Sequence, residues 1–110
     1  MAAYHVRFLI MLLYNVTYNI ENDYHDEWLK WMKESHVPAM MATELPIGNR
    51  IFRLLTEIDN GGVTYSFQYF FADMEDYETY QDHHAPRIRA EVDRRYRNKY
   101  VVFRTLLEEV

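Results

Sequence analysis

Residues 28–41, WLKWMKESHVPAMM, set two tryptophans, three methionines and one histidine around an expected helix end. His36 is the first candidate for chemistry. An imidazole near a helix C-terminus is favoured in its protonated form by the macrodipole. In a cleft between helix and sheet it would act as a catalytic acid or base. The competing role is a ring packed at the core edge and bonded to a backbone carbonyl, and that role is the favoured one. Trp28 and Met32 share its stripe. With Tyr14, Arg53 and His84 they form the candidate ligand-binding set.

Other chemistries find less support. Asp82, His83 and His84 stand together. Adjacent helical side chains diverge by about 100°, and a closed zinc site wants four ligands. No metal site is therefore expected, and no cofactor, although an inward His84 is the one residue placed to bind a heme iron. Cysteine is absent, which excludes disulfides and thiolate chemistry. Gly61 and Gly62 sit in a hairpin rather than before a helix, so they form no phosphate loop. Ser35 and Ser66 lack triad spacing, and the carboxylates of ENDYHDE and DMEDYE read as favourable charge at helix N-termini.

The elements that must position these residues follow from periodicity. Residues 11–20 alternate, with Leu12, Tyr14, Val16, Tyr18 and Ile20 on one face and Leu13, Asn15, Thr17 and Asn19 on the other, which predicts a half-buried strand. Asn22 or Asp23 caps a helix over about 24–34, extending to Met40, with a break or kink before Pro38. TELPIGN, 43–49, reads as a connection and 50–58 as a second strand. DNGG, 59–62, is a turn, and 63–71 is a third strand with Val63, Tyr65, Phe67, Tyr69 and Phe71 on one face. Asp73 caps a helix over about 74–97. Met74, Tyr77, His84, Ile88 and Val92 lie on its inner stripe, and Pro86 divides it. A last strand covers 99–109.

Strand, helix, strand, strand, helix, strand predicts an α+β fold: a four-stranded antiparallel sheet with two helices on one face. The other face should be polar, carrying Asn15, Thr17, Asn19, Arg53, Glu57, Thr64, Ser66, Gln68 and Arg104. Enclosed in a dimer, those groups would make either a ligand site or a wet interface.

The chain has 110 residues, which suits one domain. Residues 1–10 are expected to be an extension outside a domain running 11–110, because the strand pattern starts at Met11. The net charge of −5, with no basic track, argues against nucleic acid. No segment approaches the roughly 20 apolar residues that span a bilayer. No membrane partner and a cytoplasmic location are expected.

Five segments carry a family resemblance: YNVTYNI, EWLKWMKESHVPAM, GGVTYSFQYF, HHAPRIRAEV and KYVVFRTLLEE. From Met11 onward the chain resembles a family of small bacterial proteins of unknown function, themselves similar to the dimeric ferredoxin-like αβ-barrel group. The resemblance implies a βαββαβ ferredoxin-like sandwich and a homodimer whose two sheets face each other. Some members of that group are monooxygenases, mutarotases, lactone isomerases or heme-handling proteins. No catalytic set of theirs can be laid onto this chain, and the loosest parallel is a histidine on each helix, His36 and His84. The expected function is a homodimer that is non-enzymatic or binds a small molecule weakly. The alternative is a small-molecule enzyme, an isomerase or cofactor-poor monooxygenase, using His36.

Overall fold

The computed structural model describes residues 10–56 and 60–110. Strand β1 spans Leu12–Glu21, β2 Pro46–Arg53, β3 Gly62–Phe71 and β4 Tyr100–Glu108. All neighbours pair antiparallel in the order β2-β3-β1-β4. The long crossovers are helical: α1 (His25–Trp31), a π-helical stretch Met32–His36 and α2 (Val37–Met41) first, then α3 (Met74–His83) and α4 (Ala85–Tyr96). The expected ferredoxin-like α+β fold is the observed one.

The two central strands explain where the core lies. Val16 pairs with Phe67, Tyr18 with Tyr65 and Tyr14 with Tyr69, and these residues are buried. Trp28 of α1 packs on Tyr18 and Phe67 with ring centroids 5.4 and 5.7 Å away. Tyr77 and Tyr80 of α3 close on Tyr14 from the other end. Asp73 caps α3, its carboxylate accepting from the Asp76 N–H at 2.8 Å. Pro86 lies at the start of α4, where a missing N–H costs no helical bond.

Of the break or kink expected before Pro38, the structure shows no break but a local irregularity of the helix. The Val37 N–H bonds to the Met32 carbonyl, five residues back, so the turn before Pro38 is widened rather than ended. Pro38 then sits in the first turn of α2. The wide turn also aligns a stripe. Trp28, Met32, His36 and Met40 recur every fourth residue, a step that drifts about 40° in a regular α-helix. A π-turn drifts in the opposite sense, and all four residues are buried.

The edge strands need correction. Strand β2 begins at Pro46, within the supposed connection, and ends at Arg53. Proline is tolerated there because β2 is an edge strand. Arg53 pairs with Tyr65, and Arg104 of β4 pairs with Val16. Both partners point toward the helices, so Arg53 and Arg104 lie on the helix side and not on the open face. Met74 is exposed rather than on the inner stripe. The expected Asp59, Glu57 and residues 1–9 fall outside the described residues.

On the open face a polar stripe runs down the centre. Asn19 donates to Thr64 at 2.9 Å and Ser66 to Asn15 at 2.5 Å. The paired positions Phe52–Ser66 and Thr17–Phe103 place an exposed phenylalanine at each border of that stripe.

Candidate functional site

His36 lies at the end of the π-helical stretch, 7% exposed. It forms part of the wall of two spaces. On the outer side is a cleft of about 350 Å³ between the first helical run and α4, lined by Trp31, Ser35, His36, Ala39, Ile88 and the charged pair Arg87 and Glu91. On the inner side, between helices and sheet, is a narrow cavity of about 10 Å³. That is space for about one water.

The inner cavity is walled by His36, Tyr14, Tyr18, Tyr69, Tyr80 and two guanidinium-bearing residues, Arg89 and Arg104. Strand alternation puts Tyr14, Tyr18 and Arg104 on the same side, and β3 adds Tyr69. One polar chain is ordered at its edge. Arg89 donates to the Tyr14 hydroxyl at 3.0 Å and to Gln81 Oε1 at 2.9 Å, and Gln81 Nε2 donates to the Tyr77 hydroxyl at 2.8 Å. The Tyr80 hydroxyl donates to the Met40 sulfur at 3.1 Å. The Tyr69 hydroxyl and Arg89 Nε are buried with no protein partner.

These surroundings set protonation. Burial lowers the His36 pKa to about 4, and the positive charge of Arg104 acts in the same direction. His36 is therefore neutral at pH 7, which reverses the expectation drawn from the helix dipole. The helix does not end there, so no C-terminal partial charge meets the ring. Burial also raises Tyr18, Tyr69 and Tyr80, keeping their hydroxyls protonated. A neutral imidazole offers a proton acceptor, and the tyrosines offer donors.

The structure brings together only part of the candidate set. Tyr14 and His36 share the inner cavity. Trp28 and Met32 are fully buried core residues that prop the same stripe. Arg53 is exposed at the far end of edge strand β2, facing Tyr65 rather than His36. His84 is half-buried at the α3–α4 junction, where its Nδ1 accepts from Arg87 at 2.8 Å. Sequence reasoning missed Tyr69, Tyr80 and Arg89 as site residues. Tyr69 was assigned to the correct face, but nothing in its pattern separates a cavity wall from packed core. No group of three or more potential metal ligands occurs among the described residues.

With this geometry in place, comparison with known proteins is informative about ancestry and fold. The family model of a domain of unknown function matches residues 11–110. The chain belongs to that family, DUF4286. No match was found among the curated proteins. Among solved structures, the DUF4286 chain is similar to an ethyl tert-butyl ether D family protein from Bacillus halodurans. The TM-score is 0.66 at 8% identity, covering 90% of this chain and 99% of the other. It is also similar to a conserved protein of unknown function from Bacteroides thetaiotaomicron described as a possible oxidoreductase. There the TM-score is 0.63 at 13% identity, with coverage of 91% and 98%. A dimeric ferredoxin-like protein of unknown function from Thermobifida fusca matches at TM-score 0.59 and 11% identity, with coverage of 89% and 92%. At these identities the likeness establishes the fold, and the fold alone does not carry an activity.

Proposed function

We propose that this DUF4286 chain is a small-molecule-binding homodimer whose ligand lies between the first helical run and α4, against His36. The carrying observation is the position of His36: a buried, neutral imidazole in the wall of both the outer cleft and the inner cavity. A cleft of about 350 Å³ is within the range of small-molecule sites. Trp31 supplies an apolar wall, and Arg87 and Glu91 supply polar contacts. Dimerisation is supported by the aromatic-bordered open sheet face and by the dimeric neighbour. The cysteine-free composition supports a cytoplasmic setting.

The enzyme alternative draws on the lowered His36 pKa. An imidazole free at pH 7 is already in the form that accepts a proton. The neighbour described as a possible oxidoreductase fits the same alternative. Binding comes first in either case. A thermal-shift screen of small neutral and ionised aromatic compounds tests it, run on the wild type and on Ala39→Trp. Ala39 is exposed at the cleft, so the indole fills the space without entering the core. Compounds that stabilise the wild type and not the variant are expected. Stabilisation that survives the substitution, or none with any compound, overturns the proposal.

A further inference from the structure

We propose that the inner cavity is a carboxylate-binding subsite, formed by Arg104 and Arg89 with the Tyr69 hydroxyl. This rests on the ligand-binding reading above, because His36 and Ile88 line both the outer cleft and the inner cavity, and it specifies the chemistry of the ligand. The first observation is charge. Two guanidinium-bearing residues line one cavity, and none of its lining residues is an acid. Among the described residues neither arginine takes part in an ion pair. The partners of Arg89 are a phenol and an amide, both neutral.

The second observation is unmet hydrogen bonding. Arg89 Nε and the Tyr69 hydroxyl are buried donors without protein acceptors. A buried donor left unmade carries a desolvation cost, so such groups are ordinarily matched by something. The neutral groups that wall the cavity, the His36 ring and the Tyr14, Tyr18 and Tyr80 hydroxyls, make no hydrogen bond to either donor. His36 is neutral, and Tyr18 and Tyr80 keep their protons. A water would satisfy either donor but adds no charge attraction to the two guanidinium groups. A carboxylate oxygen meets both needs, accepting from donors and neutralising a guanidinium. The narrow space suits one such oxygen. Arg104 lines the cavity and is exposed on edge strand β4.

The test measures binding of benzoate and of benzamide, its neutral counterpart, by calorimetry. The proteins are the wild type, Arg104→Gln, Arg104→Lys and Tyr69→Phe. Benzoate is expected to bind the wild type at least tenfold more tightly than benzamide. Arg104→Gln should erase that preference, Arg104→Lys should restore part of it, and Tyr69→Phe should weaken benzoate alone. Arg104 is solvent-exposed, so its variants should retain the wild-type melting temperature. Equal binding of the two compounds, or a preference unchanged in Arg104→Gln, overturns the carboxylate subsite. If benzamide binds the wild type and fails on Ala39→Trp, the cleft reading stands while the anionic one falls. If neither compound binds and the broader screen is empty, both fall.

Discussion

Removing the titration of His36 should flatten the dependence of stability on pH between 7.5 and 5. The folded-state pKa is about 4 and the model-compound value is 6.5. As pH falls below 6.5 the unfolded chain takes up a proton that the folded chain refuses. Stability is therefore complete above 6.5, and its loss is complete only below 4. The full loss across the two values is about 3 kcal/mol, of which about 2 kcal/mol has occurred by pH 5. Above pH 5 most carboxylates are still ionised, so the histidine contribution stands out. The charged groups lining the spaces beside His36 are Arg89 and Arg104 inside and Arg87 and Glu91 in the cleft. The assay is urea unfolding followed by tryptophan fluorescence, on wild type and His36→Gln at both pH values. Trp28 lies wholly in the core and reports its loss. The wild type should lose about 2 kcal/mol more than the variant between pH 7.5 and pH 5. Equal losses would refute a buried, neutral imidazole. A wild type that gains stability toward pH 5 would restore the protonated form.

Two further predictions concern assembly and extent. Phe103→Asp places a charge on the open face opposite Thr17, 61% exposed in the monomer. It should convert a dimer to a monomer of unchanged helix content in light scattering and circular dichroism, and a dimer that persists rejects this face as the interface. A chain beginning at Met11 should unfold at the same temperature as the full chain, whereas a destabilisation of more than about 2 kcal/mol would show that residues 1–10 support the fold.

The central strands were legible because their two faces differ in chemistry. Tyr14, Val16 and Tyr18 alternate with Asn15, Thr17 and Asn19, so one face must be buried. Edge strands carry no such contrast. In YVVFRTLLE both faces hold apolar residues, and only pairing with β1 reveals that Arg104 shares the side of Val16. Arg53 was misplaced for the same reason, since its facing is fixed by Tyr65 across the ladder. The protonation of His36 was misjudged through Pro38. A proline normally disfavours helix at the residue before it, and the sequence gives no sign of the π-turn that accommodates this one. The cavity was the least legible feature. Tyr69, Tyr80 and Arg89 come from three elements and meet only in the folded chain.

The most direct test of ligand binding at His36 follows its imidazole resonances by NMR while compounds from the thermal-shift screen are added. Stabilising compounds should shift the His36 signals at concentrations that leave those of exposed His83 unmoved. Stabilisation with His36 unperturbed would place the ligand elsewhere and contradict the proposed site.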